Sequence, residues 1–212
     1  MKCSNRQNES MQKKYSVIYA DPPWEYKRSL QKNSAAADHY QTMNTKAICE
    51  MNVRRIADEN CILFIWGTWP KLPDTLEVLR AWGFEYKTVA FVWVKTNKRK
   101  QVGQAGFFPE DSFDEFFGLG KWTRSNTEFC LIGVCGSVRA IAKDVRQIIY
   151  APIQEHSRKP DEVRDRIIRL CGDVPRIELF ARKKVTGWDA WGNEVESDTD
   201  LVAVTATKSN CT

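Results

Sequence analysis

The sequence predicts an α/β fold in which helices flank a largely parallel sheet. Two observations carry this expectation. Five runs rich in β-branched and apolar residues recur along the chain, at 16–20, 61–66, 88–94, 129–134 and 176–180, and several are apolar without alternation, as strands covered on both faces are. Segments with helical spacing lie between them, and strands that alternate with helices build a parallel sheet sandwiched by helices.

Taken in order, the first strand, 16–20, runs straight into the tetrapeptide "DPPW" at 21–24. Ala47, Ile48 and Met51 mark a first helix. After the strand at 61–66, Pro73 and Asp74 open a second helix, in which Leu76, Leu79 and Arg80 recur before Gly83 ends it. A third opens at Lys159, Pro160, Asp161 and Glu162, sets Val163, Ile167 and Leu170 on one face, and stops at Gly172. Proline and acids in a first turn and glycine just past the last are the expected end markers. In open sheets of this kind ligands bind beyond the carboxyl ends of the strands. Asp21, directly after the first strand, therefore falls at the expected ligand edge.

One segment departs from the pattern. Residues 97–125 carry Phe107, Phe108, Phe113, Phe116, Phe117 and Trp122 in a connection too long for a simple turn. So many rings argue against disorder, which leaves a lid or substrate loop, or rings that complete the core. The expected organisation is a flexible extension at 1–14, one domain over 15–195 and a tail at 196–212.

With 212 residues, 42% hydrophobic and 28% charged, the chain has the composition of a globular protein. No apolar run approaches the ~20 residues of a membrane span, and the N-terminal stretch lacks the apolar segment of a secretion signal. A location inside the cell, in the cytoplasm, is expected. Seven cysteines without a C-x-x-C pair, and only two histidines, fit neither a disulfide framework nor a usual zinc site, so no metal is expected. Cys61, Cys130 and Cys135 lie in apolar runs and read as buried thiols. A net charge of +5 permits a polyanionic partner. Positive charge gathers in "KTNKRK" (95–100) and "ARKK" (181–184), and each cluster reads equally as solvated surface or as phosphate contacts.

The most informative stretch is "DPPW". Proline after Asp21 biases that residue to an extended backbone, and two successive prolines stiffen the chain while offering carbonyls without N–H donors. The expected result is an acceptor-only edge made of the Asp21 carboxylate and the Pro22 carbonyl, with the flat ring of Trp24 beside it. Such an edge suits an aromatic ring bearing an amino group, although a proline-rich turn capped by a surface tryptophan has the same four residues.

These residues resemble the MT-A70 family, the "DPPW" class of S-adenosylmethionine-dependent N6-adenine methyltransferases. The matching stretches are "VIYADPPW" (17–24), "HYQTM" (39–43), "LFIWGT" (63–68), "WVKTNK" (93–98), "EFCLIGVCG" (128–136), "HSRKPDEV" (156–163), "RIELFAR" (176–182) and "WGNE" (191–194), in family order. The resemblance implies a Rossmann-like methyltransferase fold, circularly permuted so that the catalytic "DPPW" precedes the cofactor-binding segments. That order accounts for the lack of a G-x-G-x-x-G after an early strand; Gly118 with Gly120, and Gly133 with Gly136, are only weak lookalikes.

The resemblance also implies roles. Asp21, Pro22, Pro23 and Trp24 would be catalytic. Hydrogen bonds from the adenine amino group to Asp21 and the Pro22 carbonyl would free its lone pair, and alignment with a sulfonium methyl supplies up to about 7–11 kcal/mol. Lys159 at its helix head would meet the cofactor's methionine carboxylate, with Asp21 near its ammonium, and Arg182, Asn193 and Glu194 would approach the ribose hydroxyls. Tyr40 would help hold the target base; from the residues themselves, the Trp24 ring is expected to stack against it, and Lys95, Lys98, Arg99 and Lys100 with Trp122 of the ring-rich segment are expected to meet the polymer. Lys183 and Lys184 depart from the histidine and asparagine of the family's mRNA enzyme at those positions. The expected substrate is adenine in DNA, because a compact chain resembles the phage and bacterial members. RNA, or a non-catalytic nucleic-acid-binding role on the same fold, are the alternatives.

Overall fold

The first strand forms where the sequence offers six residues without a charge. In the computed structural model, which describes residues 12–26, 42–97, 115–118, 120, 122–155 and 158–201, this is β1 (Tyr15–Ala20). From Val17 onward its odd and even residues face opposite ways, and both faces are apolar because both are covered. Ile18 and Ala20 join one core layer with α1 (Thr45–Cys49) and α2 (Leu72–Ala81); Val17 and Tyr19 join the other, beneath α3 (Glu162–Cys171).

The same parity governs β2 (Ala57–Gly67). Cys61, Leu63 and Ile65 face the first layer, and Ile62, Phe64 and Trp66 the second. The remaining strands are β3 (Glu85–Thr96), β4 (Thr127–Cys135), β5 (Ile148–Pro152), β6 (Arg176–Leu179) and β7 (Asp189–Trp191). The seven form one sheet in the order β5-β3-β4-β2-β1-β6-β7.

Every pairing is parallel except those of β4, which runs against both β2 and β3. The carboxyl ends of six strands and the amino end of β4 therefore share one rim. From β1 the chain moves to β2 on one side, while β6 and β7 lie on the other, so the strand order reverses at β1. A crevice at such a reversal is the usual ligand position in open α/β sheets.

The helices end as their sequences require. Pro73 and Asp74 stand in the first turn of α2, and the Trp82 indole at its far end donates to the Ile48 carbonyl at 2.8 Å, tying α2 to α1. Val163 and Ile167 bury one face of α3, and Gly172 closes it with φ of 87°. Arg164 on the same helix is also buried. It grips the Glu178 carboxylate of β6 with two donors, each at 2.8 Å.

Two expectations need correction here. Cys135 is half-buried rather than enclosed, because it is the last residue of β4, while Cys61 and Cys130 are buried. Strands β5 and β7 escaped the sequence reading because β5 lies on the sheet edge with exposed residues and β7 spans only 3 residues. Among the described residues no helix is long and apolar enough to cross a membrane.

Candidate active site

Asp21 leaves β1 at the reversal point, and three contacts fix the turn that follows it. The Trp24 backbone N–H donates to the Pro22 carbonyl at 2.9 Å, the Pro23 carbonyl accepts the Met43 N–H at 2.8 Å, and the Trp24 indole donates to the Trp66 carbonyl at 3.1 Å. Proline's fixed φ makes this turn stiff before any contact forms. The Pro22 carbonyl keeps a second lone pair for another donor.

The same contacts correct the role expected of Trp24 as a stacking platform. Its ring is only 7% exposed and packs in the core layer with Ile48 and Met51. It anchors the turn from below rather than presenting a face.

The Asp21 carboxylate meets an ammonium from the other end of the chain. Lys159 Nζ lies 2.9 Å from it and 3.2 Å from Glu128, and Lys95 Nζ donates to the second Glu128 oxygen at 2.6 Å. Asp21, Lys159, Glu128 and Lys95 thus form a row of alternating charge along the rim. Glu128 is buried and Lys159 keeps only 9% of its side chain exposed, whereas Asp21 keeps 26% exposed at the open end. Lys159 also sits 5.6 Å over the Trp66 ring, and Lys95 lies 5.2 Å over Trp93. Charges largely removed from water persist when paired, as Glu128 and Lys159 are.

The row pushes its two carboxyls apart. Burial, the largest influence, holds the Asp21 carboxyl above its ordinary range, against the pull of Lys159 and with the help of Glu128's charge. Burial acts the same way on Glu128, but Lys159 and Lys95 together outweigh it and hold that carboxyl low. For Lys159, burial works to remove its proton, and the two carboxylates more than reverse the effect. Asp21 is therefore the better proton acceptor and Glu128 the fixed anion.

Beside Asp21, β6 is followed by Phe180, whose φ of 62° lies in the left-handed region that non-glycine residues seldom adopt. Its ring meets Trp191 edge-on at 5.4 Å. Ala181 then donates to the Trp191 carbonyl at 3.0 Å, so the chain after β6 runs beside the end of β7. Only glycine fits at Gly192, where a Cβ would lie 2.3 Å from the Ala181 carbonyl oxygen. This close approach brings Arg182 and Glu194 to 4.0 Å, with Asn193 exposed between. Arg182 is near enough to Asp21 to act on its charge.

The structure thus places Asp21, Pro22 and Pro23 just past β1 with Lys159 against Asp21, and Arg182, Asn193 and Glu194 just past the neighbouring strands β6 and β7 on the same rim. Lys95 differs from its expected phosphate contact, because its ammonium turns inward to Glu128. Trp122 is fully exposed on the return leg of the connection between β3 and β4. That leg rejoins the rim where the Phe116 N–H donates to the Lys95 carbonyl at 2.9 Å. Tyr40, Lys98, Arg99 and Lys100 lie outside the described residues. Glu128 was missed as a site residue; its signal is a lone acid heading the apolar run "FCLIGVC". Among the described residues no cluster of His, Cys, Asp and Glu forms a metal site.

Comparison with known proteins bears on this geometry. The MT-A70 family model matches residues 15–194, from the start of β1 to Glu194 beside the crevice. The chain belongs to the MT-A70 family. It is 35% identical over 202 residues to the type II methyltransferase M.MunI of Mycoplasma sp, covering 86% of this chain and 78% of that protein. It is 29% identical over 197 residues to the N(6)-adenosine-methyltransferase catalytic subunit METTL3 of Homo sapiens, covering 90% of this chain but 30% of the other. With the MT-A70-like N(6)-adenosine-methyltransferase of Arabidopsis thaliana the identity is 27% over 183 residues, 85% of this chain and 24% of that one. The chain thus spans most of the Mycoplasma relative and under a third of the other two. As an MT-A70 member it has the mixed α/β, Rossmann-like fold, and its "DPPW" turn lies where the strand order reverses.

Proposed function

We propose that this protein transfers a methyl group from S-adenosylmethionine to N6 of adenine in DNA. The observation that carries the reading is Asp21: a partly open carboxylate, stiffened by the prolines after it and held by Lys159 at 2.9 Å, at the reversal point of an MT-A70 sheet.

The donor set fits the cofactor. A carboxylate and an amide, Glu194 and Asn193, are natural acceptors for a ribose diol, with Arg182 beside them. Asp21 suits the ammonium group. Lys159, at the head of α3, suits a carboxylate. When bound, S-adenosylmethionine supplies an activated methyl group. The chain's own residues do the rest. Asp21 and the free lone pair of the Pro22 carbonyl accept hydrogen bonds from the adenine amino group and turn its lone pair toward the methyl carbon. Transfer of that methyl group to N6, with the C–S bonding pair leaving on sulfur, would require N6 to shed a proton. Asp21, with its raised pKa, is suited to take that proton at a carboxylate oxygen. Glu128, itself held ionised by Lys95, keeps Lys159 charged.

The DNA choice is supported by the bacterial type II methyltransferase, of which the chain covers 78%; the relatives named as adenosine methyltransferases favour RNA as the second reading. Incubation of the purified protein with methyl-labelled cofactor and matched DNA and RNA oligonucleotides tests both. Label in DNA supports the proposal, label confined to RNA replaces it, and label in neither leaves a binding role.

A further inference from the structure

With Trp24 buried, the flat surface that holds an unstacked base has to come from another residue. Two rings beside the row of charges are both held and half-exposed. Tyr26 continues the "DPPW" segment; its hydroxyl shares a 2.6 Å hydrogen bond with Thr68 Oγ1, and 49% of the residue stays exposed. Trp69 follows β2; its indole donates to Thr127 Oγ1 at 2.8 Å, its ring leans on Phe129 at 5.1 Å, and 43% stays exposed. Each ring is tied by its polar tip, which leaves apolar surface toward solvent.

The tethers follow from the path of the chain. Trp24 bonds Trp66 and Tyr26 bonds Thr68, both at a separation of 42 residues, so the segment after Asp21 runs alongside the end of β2. Trp69 is next in that line, and Thr127, to which it is tied, immediately precedes Glu128. Tyr26 is close enough to the row to respond to it: burial, then Glu128 and Asp21, push its hydroxyl up, with Thr68 and Lys159 opposing. Lys71 lies 5.7 Å over the Tyr26 ring and adds positive charge. A ring already held in one orientation loses little freedom when a second ring stacks on it.

We infer that Tyr26 and Trp69 form a stacking wall for unstacked nucleobases, Tyr26 against the base presented to Asp21 and Trp69 against its neighbour. The inference rests on the reading that Asp21 receives a base, and it adds the surface that keeps that base in place. Stacking on aromatic faces tolerates any base, so the wall supplies affinity, not sequence choice.

The test is fluorescence anisotropy with a labelled single-stranded DNA oligonucleotide and an RNA of the same sequence. The variants are Tyr26→Ala, Trp69→Ala, Tyr26→Phe and Trp69→Phe, and methyl transfer by the wild type is recorded in parallel. Each alanine variant should bind roughly five- to a hundredfold more weakly, the range of one lost stack. Each phenylalanine variant keeps a ring and should retain most of the affinity, which a purely structural tether would not. Loss on either polymer supports the wall and tells which backbone it serves. Unchanged binding by the alanine variants, equal loss by the phenylalanine variants, or no binding of either polymer by the wild type overturns it. A wild type that transfers methyl while its alanine variants bind normally rejects the wall and keeps the activity; ring-dependent binding without transfer does the reverse.

Discussion

The Lys159 ammonium lies 2.9 Å from the Asp21 carboxylate across a separation of 138 residues. The first strand and the head of the last helix therefore meet at one ion pair. The pair is not isolated, because Glu128 holds the same ammonium from the far side.

Replacing Asp21 with Asn keeps the shape of the turn but removes the anion. The fold should survive, since the residue follows β1 and is partly open. Turnover should fall on the order of a hundredfold or more, as when an essential acid or base is lost. Single-turnover methylation with a circular-dichroism control checks it; a wild-type rate would remove Asp21 from the site.

Lys159→Met deletes the cation between two carboxylates. Without it the Asp21 carboxyl rises further, so the acidic limb of the pH–rate profile should move to higher pH. Cofactor affinity should weaken before polymer affinity does. Titrations with each ligand separate the two effects.

Glu128→Gln should cost about 3 kcal/mol at neutral pH, the scale for breaking a buried ion pair. The sign with pH is fixed by Glu128's lowered pKa. Its contribution is complete above the unfolded value near 4.5 and disappears as pH falls through the lower folded value. Urea midpoints of wild type and variant should therefore converge below about pH 4.5. A gap that stays constant with pH would show that Glu128 acts through packing alone.

Gly192→Ala places a methyl group 2.3 Å from the Ala181 carbonyl oxygen, backbone that cannot rotate away. The chain after β7 must shift, carrying Asn193 and Glu194 with it. Cofactor affinity should drop about tenfold or more, in line with overpacking costs of 1–3 kcal/mol. Equal affinity in a calorimetric titration would separate that segment from the cofactor site.

The layered fold was readable because strand parity and helix end-markers are local. The segments at 61–66 and 129–134 grew into β2 and β4, and Gly172 ended α3 as expected. The reversed direction of β4 was not readable, since an apolar run looks the same in either direction. Asp21 and Lys159 were each singled out in the sequence, but the 2.9 Å link between them was not readable there, because nothing local ties the two segments. Trp24 misled for a related reason. A tryptophan after a strand suits both a surface ring and an anchor, and only the Trp66 carbonyl, supplied by another strand, decides between them.

Because β4 runs backwards, the chain leaves β3 and re-enters β4 at the same rim, with Val94 opposite Thr127. Both posts of that connection are set by the ladder between them, whatever sequence is strung across. A segment of another length can therefore be strung between them without disturbing the row of charges next door.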